Sequence, residues 1–326
     1  MNRYKYENSK VCKIKSYLSV IPLFLFLLLL SQCSESSERD EVIIPSNKPV
    51  IDNDTLILKL DLEKGGAITY LSKSGSSRNI INLYDEGRCI QQSYYAGNLT
   101  DRSDEGQSSS WSPWRWNPIQ VGDAFGNRAK IIDYQKSQET LYVKCIPMLW
   151  DMNNKPAEAE MEQWTTLKGN VLKVRNKLTC FRTDDKYDEG ISNAQELPAV
   201  YPISALNNLY AYTGTSPFTN EDIEKLDVVN LSSGFWGKYY NLGEHWMAFV
   251  DDAGWGMAVY NPMCDEFLAG MSGFPGGETD DAHTSYIAPV NQAILNKNSV
   301  YEYEYYIIVG SLSEIRSKIY DLNLQK

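Results

Sequence analysis

Apolar and polar residues alternate with a period of two along most of this chain, and that rhythm restricts the fold more than any other feature. Residues 55–62 (TLILKLDL) alternate, Gly65-Gly66 turns the chain, and 67–71 (AITYL) opens a second strand. Residues 141–147 read as a third. Residues 159–167 and 171–178 flank Lys168-Gly169-Asn170, a turn between two alternating runs that marks a hairpin. Residues 246–250, 256–260 and 301–309 complete the clearest set, the last (YEYEYYIIV) with one half-polar face. Helical signals are few. Residues 219–226 carry a capping pattern sufficient for one or two turns, and 313–322 suit a C-terminal helix capped by Ser311 or Ser313. No internal repeat is evident. Many strands and almost no helix predict an all-β chain, a large antiparallel β-sandwich with few short helices.

The N-terminus sets the expected compartment. Lys13 and Lys15 precede the apolar run 20–30, and Ser31, Gln32 and Cys33 follow. A basic flank, a short apolar core and a small-residue cleavage site describe a secretory signal. The run is shorter than the roughly 20 apolar residues of a membrane span. Leu30-Ser31-Gln32-Cys33 resembles the lipobox of bacterial lipoproteins, in which the Cys becomes the lipidated first residue. Residues 1–33 are therefore expected to be a lipoprotein signal and Cys33 the attachment point of a membrane anchor. Residues 34–50 begin with an acidic, polar stretch and should be a flexible tether. That stretch resembles the one marking surface-exposed lipoproteins in some Gram-negative bacteria, and no aspartate follows Cys33 directly. The expected location is the outer membrane, facing the periplasm or the cell surface. Residues 51–326 suit one large β domain.

Several function classes lack support. The formal net charge of −11 leaves no basic footprint for nucleic acid. Cys89, Cys145, Cys180 and Cys264 have no CxxC spacing for zinc; they read as buried thiols, with one or two disulfides the alternative in an oxidising compartment. No GxSxG, HExxH, P-loop or GxGxxG motif occurs. Asp52-Asn53-Asp54 and Asp280-Asp281 lack EF-hand loop spacing. No metal and no cofactor is expected.

The unusual residues are aromatic. Residues 88–97 (RCIQQSYYAG) are densely polar and aromatic, and 111–123 (WSPWRWNPIQVGD) hold three tryptophans within six residues. Pro113 and Pro118 interrupt any ladder there, and Asn117, Gln120 and Asp123 need partners if buried. Sugar recognition suits such residues: flat rings cover the C–H face of a pyranose, while amides, carboxylates and guanidinium groups meet its hydroxyl rim. Arg88, Gln91, Gln92, Tyr94, Trp114, Trp116, Asn117 and Asp123 are the expected substrate contacts, with Trp111, Tyr95 and Trp150 nearby in sequence. The competing reading is an aromatic-rich core between sheets.

Glycoside hydrolysis commonly uses two carboxyl groups flanking the bond. Glu196, expected on an irregular segment flanked by two prolines and a tyrosine, suits a general acid, because burial raises a carboxyl pKa. Glu244 beside His245 is its expected partner, and Asp123 the reserve. The plain alternatives are a turn cap for Glu196 and an ordinary strand-start hydrogen bond for Glu244. Glu158, Glu160 and Glu162 alternate and read as a solvated face.

Residues 65–71 (GGAITYL), 79–82 (NIIN) and 85–88 (DEGR) resemble the opening of galactose-mutarotase-like β-supersandwich domains, and the resemblance extends loosely from about residue 53 to 310. It implies a sugar-binding sheet in a fold shared by aldose epimerases, glycoside hydrolases and terminal domains of polysaccharide lyases. In a mutarotase a His acid and a Glu base act from facing strands; here only His245, with Glu196 or Glu244, matches, and His283 lies in an acidic loop. The missing second histidine argues against simple epimerisation. The leading expectation is a surface lipoprotein that acts on oligo- or polysaccharide as a glycoside hydrolase-like enzyme. The alternatives are a non-catalytic glycan-binding lipoprotein of a polysaccharide-utilisation system and a structural or assembly lipoprotein.

Overall fold

The computed structural model describes residues 47–228 and 237–325; the signal segment, Cys33 and most of the tether lie outside them. Among the described residues the alternation resolves into two large antiparallel sheets. The ten-stranded sheet runs in the order Val50–Asp52, Leu56–Asp61, Ala67–Lys73, Ile90–Ser93, Ser192–Val200, Thr284–Ile294, Glu266–Ser272 and Lys238–Asn241, with Pro118–Ile119 and Met148–Leu149 attached beside Ile90–Ser93. The nine-stranded sheet runs Glu224–Leu226, Asn208–Ala211, Trp246–Val250, Trp255–Tyr260, Val300–Ser311, Val171–Cys180, Ala159–Lys168, Thr140–Ile146 and Lys130–Lys136. This is the all-β antiparallel sandwich that the alternation predicts. Val50, assigned to the tether, already pairs with Lys59.

Period two explains the core. Leu58, Leu60, Ile68, Phe267 and Ile287 point from the first sheet toward Val143, Met161, Leu172, Val174 and Ile307 of the second, and all belong to one buried cluster. The expected hairpin is present in full, with Ala159 opposite Cys180 and Lys168 opposite Val171 across the Gly169-Asn170 turn. On its outer face Glu160 pairs with Lys144, and Glu162 with Lys177 and the Tyr142 hydroxyl, so this acidic row is an ion-paired surface. Cys89, Cys145, Cys180 and Cys264 are buried and free. Burial pushes the Cys89, Cys145 and Cys264 thiols up to about 12, well away from reactive thiolate.

A buried amide network joins the sheets near the Gly65-Gly66 turn. Gln120 Nε2 donates to Gly65 O and to Gln163 Oε1, Gln163 Nε2 donates to Gly66 O, and the Gln92 amide donates to Gln120 Oε1. Both glycines have positive φ, and the turn closes tightly on its neighbours. A Cβ on Gly65 would lie 1.9 Å from Gln120 O, and one on Gly66 would lie 2.5 Å from a Val143 methyl.

The outer faces are covered unequally. The C-terminal helix Leu312–Asn323 opens on a Ser311–Glu314 capping box and seats Ile315 and Ile319 against Trp246, Ala248, Tyr260 and Ile308. The expected turns at 219–226 do not form a helix. Phe218 and Asn220 take positive φ, their amides are held by Glu244 and Tyr320, and Glu224–Leu226 becomes an edge strand. On the ten-stranded sheet, Ala199, Tyr201, Leu268, Tyr286, Ala288 and Val290 form a small apolar cluster on the face turned away from the main core.

The turn yields a prediction. Gly65→Ala and Gly66→Ala are each expected to cost at least about 2 kcal/mol, from backbone strain together with the clash. Urea unfolding of each variant measures this, and a loss under about 0.5 kcal/mol would contradict the packing described.

Candidate functional site

The strand Ser192–Val200 lies at the centre of the ten-stranded sheet and is not regular. Glu196 faces Ser93 on one side and Val290 on the other, but the ladder slips by one residue before Ala199 and Val200 on both flanks. Pro198 lacks the N–H that a ladder needs, which suits it to a bulge. Bulges re-aim side chains. Ala194, Glu196, Ala199 and Tyr201 consequently share the outer face, while Leu197 and Val200 enter the main core. Glu196 was expected on an irregular segment; it stands on a bulged strand.

The Glu196 carboxylate is surrounded by hydroxyls. Tyr286 donates to Oε1 at 2.6 Å and Tyr95 to Oε2 at 3.4 Å, and Ser93 adds a third side-chain hydrogen bond. Desolvation raises the Glu196 pKa above the ordinary carboxyl range despite those bonds, each of which pulls it down. Tyr95, Tyr201 and Tyr286 titrate far above their usual value, chiefly by burial and then by the charge of Glu196, so they remain neutral donors. The Tyr95 backbone is pinned on both sides by the Gln195 amide, which accepts from Tyr95 N at 2.9 Å and donates to Tyr95 O at 2.8 Å.

Above Glu196 is a hollow of about 220 Å³ whose wall is aromatic. Trp111 meets Trp114 edge to face at 5.0 Å and Trp150 at 5.6 Å, and Trp114 meets Tyr95 at 6.5 Å. All three indoles are partly exposed. Trp114 Nε1 donates to Asn117 Oδ1, and Asn117 Nδ2 donates to Tyr94 O and, at 3.4 Å, to Ser93 Oγ, so a polar chain runs from the indole wall to the carboxylate. Arg88 closes one end, its guanidinium 5.5 Å from the Tyr201 ring centroid and its Nε 3.4 Å from Asp85. Asp85 and Glu196 are the two carboxyl groups lining this hollow.

The sequence-derived contacts divide. Arg88, Gln91, Trp114, Asn117 and Glu196 line the hollow. Gln91 does so with its amide fully engaged, donating to Glu86 O and Arg88 O and accepting from Val121 N. Gln92 and Tyr94 point the other way, because adjacent strand residues face opposite sides. Tyr94 is sealed between the sheets at the edges of Tyr301 and Tyr303, and its hydroxyl donates to Gln92. Trp116 is fully buried over Arg182. Asp123 accepts from the amides of Phe125, Asn127 and Asn154 and from the Asn127 side chain, which makes it the organiser of a turn.

Glu244 is not a partner of Glu196. It stands at the start of Trp246–Val250, in the other sheet, beneath the C-terminal helix. It accepts from Arg316, Tyr320, Trp246 Nε1 and the Phe218 amide. Burial pushes its pKa up, but those donors outweigh burial and hold it below the usual range, leaving a structural anion with no proton to give. His245 takes φ 58° and turns Nδ1 to Asp265 and Cys264 O, and His283 packs on Phe274. Neither histidine lines the hollow, so the paired carboxylates and the His–Glu pair expected from sequence are both unassembled. Ser93, Tyr201 and Tyr286 were not anticipated. The alternation of 284–294, read as a strand, was the signal that would have aimed Tyr286 outward beside Ala288.

No protein-family model and no curated protein sequence matches the chain. Solved structures do. A galactose mutarotase related enzyme from Lactobacillus acidophilus superposes with a TM-score of 0.52 at 10% identity, over 81% of this chain and 97% of that one. A putative aldose 1-epimerase from Escherichia coli K12 gives 0.47 at 10% identity, over 81% and 99%. A galactose mutarotase-like protein from Lactobacillus casei gives 0.47 at 11% identity, over 80% and 99%. The first of these establishes the galactose-mutarotase-like β-sandwich fold.

The Glu196 environment is directly measurable. Folding raises this pKa, so the folded chain holds the proton more tightly than the unfolded one. That contribution to stability is fully present below the ordinary carboxyl pKa and falls as pH rises through the raised value. In a carboxyl-carbon NMR titration Glu196 should titrate above ordinary glutamates, and Tyr286→Phe should move it higher by removing a donor to the anion. A midpoint in Tyr286→Phe equal to or below that of the wild type would contradict this assignment.

Proposed function

We propose that this protein binds saccharide in the outer-face cleft, seating a pyranose ring against Trp111, Trp114 and Trp150 with its hydroxyl rim toward Glu196, Arg88 and Asp85. The observation that carries this reading is the meeting of three partly exposed indoles with a hydroxyl-ringed carboxylate around one open hollow. An apolar C–H face and a polar rim are what such a wall and floor complement. The mutarotase-like fold supports it, since a galactose mutarotase related enzyme has that fold. Glycan binding without catalysis is the first reading, because neither Glu244 nor either histidine lines the cleft. One observation favours hydrolysis as the second reading: the raised pKa of Glu196 suits a general acid, and Asp85 is a further carboxyl in the same hollow. We further propose that the domain is exported and held at the outer membrane by a lipid on Cys33, a reading supported by the basic flank, the apolar run and Leu30-Ser31-Gln32-Cys33.

The test is calorimetric titration of the protein with a panel of mono- and oligosaccharides. Trp114→Ala is expected to weaken binding about tenfold, the ~1.4 kcal/mol scale of a stacked ring. Glu196→Gln should weaken it without unfolding the chain. Release of reducing ends by the wild type and not by Glu196→Gln would favour the hydrolase; binding without release favours the binding protein. Absence of binding across the panel would sink both. Cys33→Ala should free the protein from membranes, and continued membrane association would reject the anchor.

A further inference from the structure

The cleft continues past Trp114. A second hollow of about 320 Å³ shares Tyr95, Trp114, Glu196 and Leu268 with the first, so the two are neighbours along the same sheet face with the Glu196 carboxyl in their common wall. Its remaining lining includes Arg115, Ser192, Asn193 and Tyr239. Its chemistry differs from that of the first hollow. Trp111 and Trp150 do not reach it; Tyr239, an exposed ring, offers an aromatic surface, and Arg115 supplies a cation.

Arg115 is unlike the other arginines among the described residues. Arg78, Arg88, Arg102, Arg128, Arg175, Arg182 and Arg316 each lie beside a carboxylate, whereas Arg115, among the described residues, makes no ion pair. It is partly exposed and opens on the hollow. A guanidinium fork matches a carboxylate in shape and charge, and pairs with one most strongly where aromatic walls limit water.

We propose that the second hollow is a subsite for an acidic sugar ring, a uronic acid whose carboxylate pairs with Arg115 while its ring face lies on Tyr239. This rests on the first hollow taking a neutral pyranose, and it makes the ligand an oligosaccharide whose inter-ring bond passes over Glu196. The chain's negative charge opposes a polyanion at long range, but that repulsion is screened over roughly 8–10 Å in physiological salt, while a partly buried contact pair at Arg115 is screened much less.

The experiment is calorimetry on the full-length protein with matched probes: neutral hexoses, neutral disaccharides built from them, the corresponding uronate disaccharides and a sulfated disaccharide. The uronate form should bind at least tenfold tighter than its neutral counterpart. Arg115→Gln should abolish that advantage and leave hexose affinity unchanged, and Arg115→Lys should restore part of it. Equal affinity for neutral and uronate disaccharides, or an Arg115→Gln variant that keeps the uronate preference, would overturn the subsite while leaving hexose binding, and so the first hollow, intact. Stronger binding of the sulfated probe than of the uronate would overturn the carboxylate assignment. If hexoses and disaccharides alike fail to bind, the first-hollow reading fails and this one with it.

Discussion

A carboxyl group on the face of a β-sheet, half enclosed by aromatic rings, is costly to keep, and the outer-face cleft is arranged around that cost. Removing a charged or polar group from water without hydrogen bonds is unfavourable by several kcal/mol. Glu196 avoids part of this by accepting from Tyr286, Tyr95 and Ser93, and part by holding its proton more firmly than an ordinary glutamate. Those donors come from two chain segments, 93–95 and the strand Thr284–Ile294, and the bulge at Leu197-Pro198 aims the carboxyl at both. The mutual support is local. Gln195 fixes the Tyr95 backbone, Asn117 bridges Ser93 and Trp114, and the indole wall stands on that bridge.

The contrast with Glu244 shows how environment separates two residues of the same type. Both are poorly hydrated. Glu244 has a guanidinium against it, two further side-chain donors and an amide, and its charge is fixed. It ties the C-terminal helix to the nine-stranded sheet, where removing one partner of a buried pair leaves an uncompensated charge. Glu196 has only neutral donors and an open hollow above it. The first arrangement is structural; the second retains a group able to exchange a proton or meet a hydroxyl.

Much of this fold was legible because alternation is a direct record of which face of a strand is buried. Residues 55–62, 159–167, 171–178 and 301–309 announced their strands, and 313–322, with Ser311 or Ser313 as its cap, announced the C-terminal helix. The cleft was legible only as a neighbourhood. Residues 88–97 and 111–117 do supply it, but which side chains face it depends on strand parity and on bulges that no local pattern fixes. One step separates Tyr94, sealed between sheets, from Tyr95 at the carboxylate. Trp114 and Trp116 share a parity yet part company: Trp114 lines the hollow, whereas Trp116 is buried against Arg182. Glu244 and Asp123 misled for a different reason: a carboxylate consumed by tertiary donors looks, in sequence, like one that is available. Residues 219–226 failed as a helix because Glu244 and Tyr320 claim the amides of Phe218 and Asn220.

On the proposed reading, saccharide meets the partly exposed indoles and not the sealed ones. Side-chain NMR of indole-labelled protein during saccharide titration tests it most directly. The Nε1–H signals of Trp111, Trp114 and Trp150 should shift with saccharide, Trp114 most, while those of Trp116 and Trp246 stay fixed. Shifts confined to Trp164 or Trp255, or no indole shift under a saccharide that demonstrably binds, would contradict it.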